Sequence, residues 1–263
     1  MARVITLCTD FGTIDPYVGI MKGCILGIAP QVRLVDLTHQ LPPQDRTAAA
    51  LALDASVDYF PWGTIHVVVV DPGVGTSRRA LAVQFDRGVL IGPDNGVFEL
   101  VVERYPPARI ISIEASAYRL EPVSATFHGR DVFAPAAAHL AAGVPLDELG
   151  PPVSDPVRLE MPQPQWRDST TVVLTVLAVD RFGNLILNLR EDALPRDRFE
   201  ALEPGEGRPS ISHLGTTYAD VASGEALAYI GSSGRLEVAV REGSASQVTG
   251  LVCGDQVVLR LNR

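Results

Sequence analysis

Side chains able to do chemistry are concentrated in four short segments of the first half of the sequence. Three of these segments follow apolar runs of strand length: TDFG at 9–12, DPGVGTSRR at 71–79 and GPDNG at 92–96. The fourth, FHGRD at 127–131, precedes an alanine-rich stretch with helical character. Ligands of open α/β sheets bind beyond the carboxyl ends of the strands, so these segments are the candidate site.

Segment 71–79 is the most informative of the four. Asp71 comes directly after a continuous β-branched run, so its carboxylate is expected to face a partly desolvated pocket. Gly73 and Gly75 permit positive φ and a tight turn, which would let Arg78 or Arg79 return as a partner for Asp71. The alternative interpretation is a structural turn that contains a salt bridge.

The sequence gives no sign of a phosphate loop or a metal site. Segment 71–79 lacks the lysine of a P-loop, the GxGxxG pattern is absent, and no histidine pair has the spacing of HExxH. We therefore expect neither a cofactor nor a metal. His128 alone could be a structural histidine, whereas its neighbours Gly129, Arg130 and Asp131 favour a functional one.

Composition limits the class of protein and its partners. The 263 residues carry a net charge of −9, which disfavours nucleic acid as a partner and suits a cationic substrate. No apolar run reaches the roughly 20 residues of a membrane span, and the N-terminus enters a strand pattern without a signal-like segment. Three widely spaced cysteines without a CxxC pair predict a reduced, cytoplasmic protein.

The element pattern predicts two domains. Residues 1–150 alternate strands with helices, which indicates an α/β domain with a mostly parallel sheet and flanking helices. Five prolines between 150 and 166 suggest an extended linker over 151–168. Residues 169–263 show strands separated by glycine-rich turns, which predicts a smaller all-β, barrel-like domain; its last strand is expected to run from 247 to 261.

Three glycines lie on one face of the first predicted helix. Gly19, Gly23 and Gly27 recur every four residues, and each costs the helix about 1 kcal/mol relative to alanine. We expect close packing against a neighbouring element to require them, rather than the approach of a ligand.

Seven motifs together resemble one family. They are TDFGTIDPYVGIMKG at the start, VDLTH at 35–39, DPGVGTSRR at 71–79, GPDNG at 92–96, TFHGRD at 126–131, VDRFGN at 179–184 and GSSGRLEVAV at 231–240. In this order and spacing they resemble the S-adenosyl-L-methionine (SAM) hydroxide adenosyltransferases, relatives of the fluorinating and chlorinating SAM enzymes. The resemblance implies hydrolysis of SAM to adenosine and L-methionine, with SAM as substrate and no cofactor. It also implies homotrimers that bind SAM between the first domain of one subunit and the second domain of the next.

The resemblance also implies roles for ten residues. Those that would act on the attacking water are Asp71, Arg78 and His128. Those that would bind SAM are Asp10 at the ribose hydroxyls, Asp180 at the methionine amino group, Ser232 and Ser233 near its carboxylate, and Phe182, Asn184 and Tyr218 around the adenine. Whether Asp71 or His128 takes the proton from water stays open at this stage. Arg241 stands where relatives usually carry an asparagine near the adenine.

Two alternatives stay open from the sequence. A SAM halogenase is disfavoured because Asp71 replaces a tyrosine, Gly129 replaces a halide-contacting serine and Gln44 replaces a tryptophan of those enzymes. A carboxylate about 4 Å from a halide would repel it by about 4 kcal/mol at an effective dielectric constant near 20. A non-catalytic SAM or adenosine sensor is disfavoured by the intact set of Asp71, Arg78 and His128.

Overall fold

The computed structural model describes residues 3–263, which divide into two compact units between Leu159 and Glu160. The division falls inside the segment 151–168 that was predicted as a linker. The first part of that segment belongs to the first unit, because Ser112 N–H donates to the Pro151 carbonyl at 2.8 Å and Val153 N–H donates to the Ile110 carbonyl at 2.8 Å. These hydrogen bonds extend the edge of the first unit's sheet.

The first unit is built on a six-stranded sheet with the order β2-β1-β3-β5-β4-β6. Four neighbouring strands, β2, β1, β3 and β5, are parallel, and β4 runs antiparallel to both β5 and β6. The mostly parallel sheet predicted from the alternating pattern is therefore confirmed. The elements are β1 (Val4–Thr9), α1 (Tyr17–Ile28), β2 (Arg33–Thr38), α2 (Arg46–Asp54), β3 (Thr64–Val69), β4 (Ala80–Phe85), β5 (Gly88–Pro93), α3 (Glu99–Arg104), β6 (Arg109–Ser112) and α4 (Ala134–Ala142).

Helices cover both faces of this sheet, and every residue of β3 is buried. One face packs against α1 and α4 through residues such as Met21, Ile25 and Leu140, and the other packs against α2 and α3 through Leu53 and Val101. A central strand covered on both faces reads as a continuous apolar run, which explains the sequence of β3. Among residues 3–263, no helix combines the length and the hydropathy needed to cross a membrane.

The packing expected for the three glycines of α1 is wrong within this chain. A Cβ added at Gly19, Gly23 or Gly27 would meet no atom within 4 Å. The helix buries its opposite face, which carries Val18 and Met21. The glycine face is exposed, so no element of the described chain requires the small residues.

The second unit is a seven-stranded antiparallel sheet with the order β10-β13-β8-β9-β12-β11, and β7 pairs with β8. The segment 211–215 joins the two outer strands, since Ile211 bonds to Leu202 of β10 and Gly215 bonds to Ala228 of β11. This closure gives the barrel-like form that the sequence predicted. The elements are β7 (Gln165–Trp166), β8 (Thr171–Val179), β9 (Leu185–Arg190), β10 (Phe199–Glu203), β11 (Ala226–Ile230), β12 (Arg235–Val240), α5 (Ala245–Thr249) and β13 (Gln256–Leu261).

The end of the chain differs from the sequence prediction. The single strand expected over 247–261 is a short helix, α5, followed by the strand β13. The Ser244 side chain caps the helix by accepting from Gln247 N–H, and Gly250 ends it at φ 67°. Serine caps and left-handed glycines are the usual helix boundaries, and here they interrupt an apolar run that resembles a strand.

Candidate active site

Asp71, Arg78 and His128 form one hydrogen-bonded set. Arg78 Nε donates to both carboxylate oxygens of Asp71 at 2.9 and 3.0 Å, and Nη2 contacts the same carboxylate. Arg78 Nη2 also lies 2.7 Å from His128 Nδ1, and the guanidinium carbon stands 5.2 Å from the Phe133 ring centre. The guanidinium thus joins a carboxylate and an imidazole that lie 57 positions apart in the sequence.

Gly75 brings the two segments that carry this set into contact. Its φ is +78°, and a Cβ at this position would lie 2.4 Å from the Ala125 carbonyl oxygen. Only glycine adopts such a conformation at no steric cost, and only glycine leaves room for the Ala125 backbone. The approach therefore places segment 71–79 directly against the residues that precede His128.

Asp131 fixes the segment that carries His128. Its buried carboxylate accepts from Ser124 N–H at 2.8 Å and from Arg130 Nε at 2.6 Å. Residues Gly129–Phe133 form a π-helical turn before α4, a feature that is frequent at functional sites. The alanine-rich helix expected after segment 127–131 thus begins as this wider turn.

The surroundings keep His128 neutral at pH 7. Burial, followed by the charge of Arg78, lowers the pKa of the His128 imidazole below its ordinary value of 6.5, and the carboxylates of Asp71 and Asp131 oppose this in part. A neutral imidazole has one donor nitrogen and one acceptor nitrogen. Because Arg78 donates to Nδ1, the ring proton belongs on Nε2.

A cavity of about 260 Å³ opens in front of this set, and we call it the front cavity. Asp10 lies in its wall and accepts from Gln44 N–H at 2.7 Å, which leaves the other carboxylate oxygen available. Gln44 has a φ of +64°, an uncommon value for a residue other than glycine. The lining residues are Asp10, Phe11, Pro43, Gln44, Val69, Asp71, Val74, Thr126, Phe127, His128 and Gly129.

The motif VDLTH supports the Asp10 loop from behind, a contribution that the sequence analysis missed. His39 is buried; its Nδ1 lies 2.9 Å from Thr9 Oγ1, and its Nε2 lies 3.0 Å from an Asp36 carboxylate oxygen. The His39 carbonyl accepts from Gly12 N–H at 2.7 Å. The sequence offered one signal for this role. Asp36 and His39 are three residues apart at the end of a predicted strand.

The motif GPDNG has a structural role. Its buried Asp94 accepts from Arg79 Nε at 2.7 Å and from Val157 N–H at 2.7 Å, while Arg79 also bonds to Asp155. Arg79 is therefore turned away from Asp71. Of the two arginines that the sequence offered as partners for Asp71, Arg78 is the one that bonds to it. Asn95 Nδ2 donates to the Val70 carbonyl at 2.9 Å and so secures the end of β3 next to Asp71.

In the second unit, Asp180 and Asn184 bond to each other within one turn. Asp180 accepts from the backbone of Phe182 and Asn184 at 2.8 Å each, and from Asn184 Nδ2 at 2.8 Å. Asn184 is buried, whereas the Phe182 residue is 76 % exposed. The turn therefore presents an aromatic ring to solvent, while the Asp180 carboxylate uses three of its about four acceptor sites within the turn.

A second polar group of this unit contains two residues that the sequence analysis did not single out, Tyr229 and Glu237. Tyr229 OH donates to Glu237 Oε2 at 2.5 Å and lies 3.1 Å from Tyr218 OH, and Ser233 Oγ lies 3.5 Å from Glu237 Oε1. Ser232 is exposed beside Ser233. The pairing of β12 with β11 places Glu237 directly opposite Tyr229. The sequence analysis missed both residues because it did not include this strand pairing.

Arg241 forms hydrogen bonds with the loop between Tyr218 and Tyr229. Its Nη1 donates to the Val221 carbonyl at 2.8 Å. Its backbone pairs with Gly224 and Glu225. The side chain at this position thus supports the loop that follows Tyr218.

Comparisons with known proteins agree across the whole chain. The SAM hydroxide adenosyltransferase N-terminal domain matches residues 5–150, and the C-terminal domain of the same family matches residues 174–258. A protein of Thermus thermophilus named (R)-S-adenosyl-L-methionine hydrolase is 43 % identical over 98 % of this chain and 99 % of its own length. A protein of Salinispora tropica with the same name is 38 % identical over 96 % of both.

A solved structure shares the fold of this chain, and more distant relatives carry a different name. The crystal structure of an uncharacterized conserved protein from Thermotoga maritima superposes with a TM-score of 0.91 at 35 % identity, and the match covers 97 % of this chain and 99 % of that one. Relatives named fluorinase are more distant, such as that of an Actinoplanes species at 30 % identity over 73 % of this chain and 74 % of its own length. The chain belongs to the SAM hydroxide adenosyltransferase family.

Proposed function

We propose that this chain is an enzyme that hydrolyses SAM at the ribose C5′ carbon to give adenosine and L-methionine. The observation that carries the proposal is the hydrogen-bonded set of Asp71, Arg78 and His128, of which Asp71 and His128 line a cavity that also contains Asp10. Relatives that match nearly the whole chain are named (R)-S-adenosyl-L-methionine hydrolase, which supports the same reaction. The intact set disfavours a sensor without catalytic activity.

The reaction requires the protein mainly to position the water and SAM and to accept one proton. The water oxygen forms a bond to C5′, the C5′–S bond breaks, and its electron pair stays on sulfur as a neutral thioether. The sulfonium needs no acid to leave, and the balance releases one proton per turnover. Holding one water in line with the C5′–S bond can supply about 7–11 kcal/mol of the barrier, so the proposal needs neither a cofactor nor a metal.

The hydrogen bonds favour Asp71 as the acceptor of the water's proton. His128 Nδ1 already accepts from Arg78 at 2.7 Å, so the neutral ring would offer its Nε2–H as a donor to the water oxygen. The Asp71 carboxylate has about four acceptor sites and uses three for Arg78. Arg78 would stabilise the carboxylate and the hydroxide character of the water.

Asp10 would bind the ribose, since one carboxylate can accept from two adjacent hydroxyls. Its fixed hydrogen bond from Gln44 N–H orients the carboxylate within the front cavity. The resemblance assigns the methionine part to Asp180, Ser232 and Ser233, and the adenine to a group of three residues, Phe182, Asn184 and Tyr218. Stacking of a base on an aromatic ring is worth about 1–3 kcal/mol.

Activity should fall at acidic pH only below the ordinary pKa of histidine. Burial and Arg78 lower the pKa of His128 from 6.5, so the neutral ring persists at pH 6.5 and is lost at lower pH. Protonation would put a proton on Nδ1, which faces the Arg78 guanidinium. The measurement is kcat/KM for SAM between pH 5 and 8. An acid limb with its midpoint above 6.5 would contradict the role of a neutral His128.

The proposal includes a homotrimer in the cytoplasm. The exposed rings of Phe182 and Tyr218, at 76 % and 46 %, and the uncovered glycine face of α1 support contacts with further copies of the chain. Cys8 and Cys24 are thiols and not half of a disulfide, as expected in a reducing compartment.

A mixing experiment tests whether two subunits share each site. At a SAM concentration well below its dissociation constant, Asp71→Asn and Tyr218→Ala are each expected to show little activity as homotrimers. In a one-to-one mixture of subunits, about a quarter of the sites formed between neighbours combine two intact halves, and activity should recover to that fraction. A mixture that stays as inactive as its parents, although light scattering gives three chains per particle, would reject shared sites.

Product analysis tests the function itself. The protein is incubated with each sulfonium epimer of SAM, alone and with added chloride or fluoride, and the expected products are adenosine and methionine in equal amounts. A 5′-halo-adenosine would establish a halogenase instead. This outcome is not expected, because a Cβ at Gly129 would lie 3.1–3.3 Å from Met21, Phe127 and Phe11, so the halogenase serine would be crowded here. Absence of any product at high enzyme concentration would indicate a sensor.

A further inference from the structure

A second cavity, of about 250 Å³, adjoins the proposed catalytic set, and we call it the rear cavity. His128 lines both cavities, Asp71 lines only the front cavity, and Arg78 lines only the rear one. Arg78 and His128 therefore form the partition between the two. The residues that complete the rear wall include Ser77, Glu114, Arg119, Val123 and Val132.

The rear cavity is open to solvent and combines polar with apolar lining residues. Ser77 and Glu114 are exposed at its rim. A cavity of this volume has room for several water molecules, each of which occupies about 30 Å³ in the liquid. Because His128 and Arg78 line the rear cavity, these water molecules can reach the back of the proposed catalytic set.

The proposed reaction creates a demand for such a route. Attack in line with the C5′–S bond puts the water on the side of C5′ opposite to sulfur, between the ribose and the set of Asp71, Arg78 and His128. Bound SAM would cover this position from the front, because Asp10 in the front cavity would hold the ribose. Each turnover therefore consumes one water at a position that bound SAM shields from solvent in the front cavity.

We propose that the rear cavity supplies the attacking water to the site, past the partition formed by Arg78 and His128, while SAM occupies the front cavity. This inference rests on the proposed function. It assigns Arg119 and Val123 to the solvent path and gives neither of them a role in substrate binding. Filling the rear cavity should therefore slow hydrolysis and leave SAM binding intact.

The test compares two substitutions of Val123. Val123→Phe places a larger side chain in the rear cavity. Val123→Ala is its matched control, since it changes the packing of the same residue against the core but leaves the cavity open. In Val123→Phe, the rate of single-turnover hydrolysis should fall roughly tenfold or more. This loss should be smaller than the roughly 10²–10⁴-fold loss expected when a proton-transfer group is removed. The SAM dissociation constant from calorimetry and the rate of Val123→Ala should stay near those of the unmodified protein.

A pH profile and a second variant distinguish a blocked water path from a displaced catalytic site. The acid limb of the pH profile should stay below pH 6.5 in Val123→Phe, because a ring in the rear cavity adds to the burial that lowers the pKa of His128. A limb that moves above 6.5 would mean that the filler displaced His128, and it would count against the proposal. If Val123→Phe fails to fold, Ser77→Trp fills the cavity from its exposed rim and takes its place.

The outcomes distinguish this inference from the proposed function. If the unmodified protein does not hydrolyse SAM, the proposed function fails and the water path with it. If the unmodified protein hydrolyses SAM and both fillers, folded and binding SAM, hydrolyse it equally fast, the water path alone is rejected and the water enters from the front.

Discussion

Asp71→Asn is expected to reduce kcat for SAM hydrolysis by about 10²–10⁴-fold, the usual worth of a group that accepts a proton in the transition state. The amide has the same shape as the carboxylate but cannot take the proton. The carboxylate faces Arg78 and the water position, not a group assigned to hold SAM. The dissociation constant of SAM should therefore change by no more than about twofold, since only an interaction made in the transition state is removed.

The matched control for this substitution is Asp155→Asn. Asp155 pairs with Arg79, the neighbour of Arg78, but its side chain is 80 % exposed. Exposed ion pairs contribute only about 0–1 kcal/mol, so neither activity nor stability should change noticeably. Equal losses of affinity and turnover in Asp71→Asn would contradict the assignment of Asp71 to the water.

Arg78→Met is expected to abolish hydrolysis and to lower the free energy of unfolding by about 3–5 kcal/mol, the usual cost of leaving one member of a buried ion pair without its partner. The side chains of Arg78 and Asp71 are 10 % and 5 % exposed, so little solvent can replace the lost guanidinium. Methionine has a similar length but loses the cation–π contact of the guanidinium with Phe133. The measurement is urea unfolding followed by circular dichroism, combined with the product assay.

The double variant with Asp71→Asn separates the two consequences of losing Arg78. A neutral asparagine removes the unpaired buried charge, so the double variant should be more stable than Arg78→Met alone. It should stay inactive, because neither group that acts on the water is present. Unfolding free energies that simply add, with no recovery in the double variant, would show that the pair is not coupled as its geometry implies.

The sequence predicted the sheet of the first unit well because burial on both faces leaves a direct mark. The β-branched run of β3 has no surface position to carry a polar residue, and its end at Val69 places Asp71 at the carboxyl edge of the sheet. The glycine spacing in 71–79 then predicted a tight return of the chain. Gly75 turns out to have a second function, contact with Ala125, which no local pattern reveals.

Other features depend on contacts between distant residues and could not be predicted. Arg78 and Arg79 are adjacent and chemically identical, and the choice between them is made by Asp94 and Asp155. Tyr229 and Glu237 are brought together by the pairing of β11 with β12. The helix α5 follows from a serine cap within an apolar run, where strand and helix patterns look alike.

The origin of the oxygen in the product tests the central claim most directly. Hydrolysis of SAM is carried out in water enriched in the heavy oxygen isotope, and the adenosine is analysed by mass spectrometry. Direct attack of water on C5′ predicts one heavy oxygen in the 5′-hydroxyl of every adenosine molecule formed, with unlabelled methionine. Adenosine whose 5′-oxygen carries no label would contradict the account, because its oxygen would not have come from the solvent.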